Sequence, residues 1–182
     1  MKYINTYIVE KLRINKNKLS SGPEYTLFPQ NRDELEEMIS EEIYQNGNEC
    51  NLNHIDTSKI TDINNLFYFS EFNGDISQWD VSNVKDMYSM FWKSEFNGDI
   101  SDWDVRNVTN MGKMFAHSLF NNDSICKWDV SNVEDMEGMF EYSDFNQDIS
   151  GWDVSRVQDM SYIFDHCNIK DKYKPFKDGK KI

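Results

Sequence analysis

Proline is scarce in this chain: three in 182 residues, beside eight glycines and three cysteines. No run of about 18 apolar residues occurs, so no stretch reads as a membrane span. Three cysteines (Cys50, Cys126 and Cys167) are an odd number without metal-ligand spacing, which points to small buried thiols in a reducing compartment. The first 18 residues lack an unbroken apolar run of about 7–15 residues, so they do not read as a secretory leader, and the chain is expected in the cytoplasm or in a virion. Positive charge is scarce except at the two ends. Residues 1–18 carry five Lys/Arg against Glu10, and residues 169–182 carry six Lys against Asp171 and Asp178, so each end is +4. With a net charge of −13, residues 19–168 therefore carry −13 − 8 = −21. Such a body repels phosphate backbones, which argues against nucleic acid as a partner. The basic ends fit either an acidic partner or the acidic body itself.

What the chain has in quantity is repetition. Trp-Asp-Val-x-x-Val-x-(Asp/Asn)-Met-x-x-(Met/Ile)-Phe begins at Trp79, Trp103, Trp128 and Trp152, in steps of 24, 25 and 24 residues, with a worn copy at Ile55. Counting each Trp as position 1, apolar residues recur at positions 1, 3, 6, 9, 12, 13, 18 and 22. Columns apolar in every copy are explained by stacking, each side chain lying on its equivalent in the next copy. The Val and Ile columns suit short strands. The segment Met87–Phe91 has i, i+3, i+4 spacing and predicts one helical turn per copy. Phe-Asn-Gly-Asp, at 72–75 and 96–99, predicts corners in which Gly and Asn take positive φ. The third copy has one extra residue around Asn121–Ile125, which predicts a bulged corner with undisturbed neighbours. The fold expected is an α/β repeat: a stack of about 4.5 coils of 24 residues, each with short strands and one helical turn, closed by an N-terminal helical cap. Its parts are a basic arm and linker (1–22), a cap (23–50), the repeats (51–168) and a basic tail (169–182).

The cap rests on the clearest helical signal, 32–46. Asn31 is a good N-cap with Glu34 three residues on, Leu35, Met38, Ile39 and Ile43 form one stripe, and Gly47 ends it. Such a helix closes the apolar end of a stack. In the arm, Ile4, Tyr7, Ile8 and Leu12 fall at helical spacing beside Lys11 and Arg13. That short amphipathic helix must dock, on its own domain or on another protein.

Two readings exist for the polar columns. Stacked Asp residues could hold calcium through oxygen. Alternatively, the Asp, Asn and Ser side chains accept backbone N–H groups at each turn, which the low glycine content of these corners favours. The Trp column is either core or a binding platform, and its column mate Ile55 favours core. The three histidines, His54, His117 and His166, make no catalytic set, and His117 and His166 lie two copies apart, roughly 10 Å. No phosphate loop, zinc spacing or Ser/His/Asp set is present, so no enzyme activity, cofactor or metal is expected.

With its repeat written out, as Trp-Asp-Val-Ser-Asn-Val-x-Asp-Met-x-x-Met-Phe-x-x-Ser-x-Phe-Asn-x-Asp-Ile-Ser between Trp79 and Ser150, the chain resembles the BspA-like leucine-rich-repeat family, the mycoplasma-type lipoprotein repeat. The resemblance covers about residues 48–176. It implies a right-handed leucine-rich-repeat-like solenoid used in adhesion or protein binding rather than in catalysis. The chain departs from surface members of that family in showing no apolar signal or lipobox Cys. The opening residues 4–16 are similar to those of tailed-phage proteins from gut bacteria, which implies a virion or accessory protein docked through that segment. The function expected is a non-enzymatic protein-interaction or scaffold module, with a phage structural protein or an adhesin-type binder as alternatives. The partner is a protein of unknown identity. The residues expected to bind it are Ile4, Tyr7, Ile8, Lys11, Leu12 and Arg13 in the arm, and the exposed charges Lys85, Asp102, Arg106 and Glu134 in the repeats.

Overall fold

A computed structural model of the chain describes residues 24–182. The arm residues Ile4 to Arg13 lie outside the described residues.

Helix α1, Arg32–Asn46, is the one α-helix among them. Its start is chemical: the Asn31 side chain accepts the N–H of Glu34 at 3.0 Å, and Glu34 reaches back to the N–H of Gln30 at 3.0 Å. Gly47, at φ 86°, closes it by donating to Ile43 O. Leu35 and Ile39 are buried against the first repeat, and Arg32 Nε donates to Asn64 O at 2.9 Å. Two 3-10 helices, Asp123–Lys127 and Asp171–Tyr173, and a hairpin of two two-residue strands, β1 (Phe176–Lys177) and β2 (Lys180–Lys181), complete the regular structure of the described residues.

This corrects the expected fold class. The leucine-rich-repeat-like solenoid of short strands and helical turns does not form: the Val and Ile columns are not strands, and the Met-x-x-Met-Phe segments are not helical. The reason lies in the backbone. Positions 11 and 15 of every copy take left-handed φ, from Asn65 (55°) and Phe69 (56°) through Ser89, Lys93, Lys113, His117, Gly138 and Tyr142 to Tyr162 (60°) and His166 (51°). Two left-handed residues four apart prevent a helix from propagating.

The repeats lie on one another as five irregular layers. Isolated parallel bridges join Asp62, Asp86, Asn110, Asp135 and Asp159 in file. Alternate N–H groups point to the next layer: Met87, Ser89, Phe91 and Lys93 donate to Asn110, Gly112, Met114 and Ala116 carbonyls at 2.9, 2.9, 2.9 and 3.0 Å. The N–H groups between them close tight turns within the layer, as Met90 N to Met87 O (3.2 Å) and Trp92 N to Ser89 O (3.1 Å). Backbone polarity is thus satisfied without regular strands.

The interior is built from columns. Phe67, Phe91, Phe115, Phe140 and Phe164 form a file with centroids 5.5–5.9 Å apart, and Phe72, Phe96, Phe120 and Phe145 form a second at 6.3–6.4 Å. Trp79, Trp103 and Trp128 stack at 6.4 and 6.3 Å. All four indoles in the column are at most 5% exposed, and each Nε1–H donates to the carbonyl of Leu52, Ile76, Ile100 or Ile125 one layer earlier. The extra residue of the third copy is absorbed by the 3-10 helix Asp123–Lys127, capped by Asn122, and the Phe and Trp files pass it unbroken.

Candidate functional site

The polar columns hold the turns. Asp80, Asp86 and Asp99 each accept the N–H two residues on, from Ser82 (3.0 Å), Tyr88 (2.8 Å) and Ser101 (2.9 Å). Asn110 does the same for Gly112, and Asn122 for Ser124. Ser94 Oγ accepts from Phe96 N at 3.2 Å. A ladder of Asn side chains ties layers together: Asn73, Asn97 and Asn121 accept the N–H of Asn97, Asn121 and Asn146 at 2.8–2.9 Å. Among the described residues no three His, Cys, Asp or Glu side chains are grouped to hold a metal ion. Burial pushes the thiols of Cys50, Cys126 and Cys167 up, away from reactive thiolate. No helix among the described residues is long and apolar enough to cross a membrane.

The charges singled out in the repeats are exposed but do not converge. Lys85 and Glu134 share position 7, two layers apart, and their backbones meet through Thr109: Thr109 N donates to Lys85 O and Glu134 N to Thr109 O. Asp102 and Arg106 flank the Trp corner instead. Arg106 is spent within its own layer, its guanidinium donating twice to Asp104 at 2.8 and 2.6 Å. The Arg106 hydrogen bonds hold the Asp104 carboxyl below the usual carboxylate range.

What the structure does bring together is an aromatic strip at positions 14 and 15. Tyr68 stacks on Trp92 with ring centroids at 4.7 Å, and Phe69 meets Trp92 edge-on at 4.8 Å. The Lys93 ammonium sits 4.6 Å from the Trp92 ring and 4.8 Å from Phe69. Trp92 meets His117 at 5.4 Å, His117 stacks on Tyr142 at 4.8 Å, and Tyr142 on His166 at 4.4 Å. The strip therefore crosses all five layers. Phe69, Tyr142 and Tyr68 are 58%, 50% and 46% exposed, unlike the buried Phe files one position away. Beside the strip lies an open depression of about 460 Å³, lined by Tyr88, Trp92, Lys113, His117 and Glu141 among others. Lys113 pairs with Glu137 at 3.3 Å. Burial works to lower its pKa, but Glu137 and Tyr88 outweigh that and keep the ammonium charged.

The sequence reading missed this strip because positions 14 and 15 do not repeat one residue type. Tyr68, Phe69, Trp92, Lys93, His117, Tyr142 and His166 share only ring or cation character. That shared character is the signal that marks it.

Comparison with known proteins decides the family. The family model described as Mycoplasma protein of unknown function, DUF285, matches residues 33–140 and 116–174. The chain belongs to the DUF285 family. The two matches overlap across the third and fourth copies, as periodicity allows, and together run from α1 to the tail. The DUF285 match supports the mycoplasma-type repeat resemblance, and does not extend to leucine-rich repeats or to phage proteins. No curated protein and no solved structure was found to match the chain.

Proposed function

We propose that this DUF285 chain is a non-catalytic interaction module that binds a protein partner through the aromatic strip. The observation that carries the reading is the continuous ring file in which Tyr68, Phe69, Tyr142 and His166 are exposed and Trp92 and His117 half-buried, on a stack whose other ring files lie in the interior. Exposed contiguous apolar surface on a folded protein marks an interaction site. Tyr, Trp and Phe supply large contact area at small entropic cost, and they dominate the energetics of protein interfaces. A protein partner fits better than a nucleic acid. Tyr68 and Trp92 stack face to face, as do His117, Tyr142 and His166 in file, so those faces are taken up by one another, and the −21 body repels phosphate.

Affinity capture with the full chain tests this. The partner retained by the intact chain is lost by the Phe69→Ala/Tyr142→Ala double variant, while thermal stability changes little because both rings are half-exposed. A Lys85→Ala/Glu134→Ala variant retains the partner. Loss of capture in the second variant and not in the first assigns binding to the charges instead.

A further inference from the structure

Each of the first four layers spends the same four backbone donors on the layer after it. In the fourth, Met136, Gly138, Phe140 and Tyr142 donate to the carbonyls of Asp159, Ser161, Ile163 and Asp165 at 2.9, 2.8, 3.0 and 2.9 Å. In the fifth, the equivalent N–H groups belong to Met160, Tyr162, Phe164 and His166, and among the described residues no acceptor meets them. The chain beyond Ile169 does not extend the row. It crosses the other half of the layer, where Tyr173 O accepts from Ile149 N at 3.0 Å and Lys177 Nζ donates to Val157 O. Side chains on this edge also lack cover. Tyr162 is 63% exposed, and Met160 and Phe164 are half-buried, whereas Met136 and Phe140 one layer earlier are fully buried.

The polarity of the edge decides what fits it. The carbonyls of Met160, Tyr162 and Phe164 already accept from Ile163, Asp165 and Cys167 at 3.2, 3.0 and 3.1 Å, so the row offers donors with no matching acceptors. A second copy presenting the same edge would set donors against donors, which excludes two-fold pairing. Nor does the opposite end of a second copy fit. There α1 roofs the stack, Arg32 occupies Asn64 O, and Leu66 and Phe67 are already buried. An extended segment offering carbonyls at alternate residues does fit, as in peptide addition to a sheet edge. Charge narrows it further. Residues 169–182 carry +4 beside a −21 body, Lys170, Lys172 and Lys180 are exposed, and the Lys174 ammonium lies 5.5 Å from the Phe164 ring.

We propose that the open donor edge of the fifth layer docks an extended acidic segment of a partner protein, which adds to the stack as its next layer. This surface is distinct from the strip, although His166 belongs to both.

The test uses the full chain and a labelled synthetic peptide of residues 79–102, one copy of the repeat, whose five acidic and two basic residues give it net −3. The peptide binds saturably by fluorescence anisotropy. Hydrogen exchange slows at the amides of Met160, Tyr162, Phe164 and His166. A Lys172→Glu/Lys180→Glu variant binds about tenfold more weakly. The proposal is overturned if the peptide does not bind, or if it protects other amides only. It is equally overturned if the four amides are already protected in the free chain, which would mean that the chain covers its own edge. A polyanion without backbone carbonyls, inorganic polyphosphate, giving the same protection would also overturn it, since charge rather than carbonyl register would then explain binding.

Discussion

At the scale of single residues, the acidic columns act as turn fasteners. A carboxylate oxygen that accepts a backbone N–H can be replaced by a carboxamide oxygen, and the chain makes that exchange itself at Asn110 and Asn122. Asp135→Asn should therefore leave stability nearly unchanged. Asp135→Ala, which strands the Glu137 N–H now bonded at 2.8 Å, should cost about 1 kcal/mol. Thermal denaturation of the two variants checks this, and equal losses would mean that charge, not the acceptor, matters. The pH dependence has a defined sign. The Ser131 hydroxyl and N–H hold Asp129 below the usual carboxylate range, and the Ser161 N–H and hydroxyl do the same for Asp159. Groups with lowered folded-state values contribute stability that is present above their unfolded value, about 3.9, and is lost as pH falls through the lowered values. Between pH 7 and the isoelectric point near 4.6, loss of net negative charge relieves repulsion instead. Melting temperature should hold or rise from pH 7 to about 5 and fall below about 4. A fall already complete by pH 5 contradicts this assignment.

At the scale of elements, two kinds of glycine separate space from conformation. Gly74 sits at a corner expected to need positive φ, yet it is not among the positive-φ residues. It is needed for room, since a Cβ there would lie 2.0 Å from Cys50 O. Gly138 is left-handed at φ 57° and its neighbours leave more space. Gly74→Ala should cost about 3 kcal/mol and Gly138→Ala about 1 kcal/mol in urea denaturation; the reverse order would refute the distinction. The ends of α1 were legible because Asn31, Glu34 and Gly47 are local signals with one physical meaning. The apolar columns were legible because stacking preserves residue type from Ile55 to Trp152. The local path between columns was not. Met-x-x-Met-Phe has helical spacing, but spacing records which side chains face inward and does not reveal left-handed backbone at Ser89 or Lys93, residues with no intrinsic preference for it. The strip escaped because its rings change identity from layer to layer.

At the scale of the whole molecule, layers joined by Phe files, indole donors and Asn ladders contact their neighbours alone, so damage in the middle weakens the stack on both sides. Trp103 stacks on Trp79 and Trp128 and donates to Ile76 O, so Trp103→Ala should cost about 3–5 kcal/mol. Trp92 lies on the strip, where its loss should act on binding more than on folding. The claim that this stack displays aromatic side chains for a protein partner is tested most directly by measuring partner capture and melting temperature together for Phe69→Ala/Tyr142→Ala. Capture lost with the melting temperature within a few degrees of the intact chain is the predicted result. Capture retained in full by that variant would contradict the account.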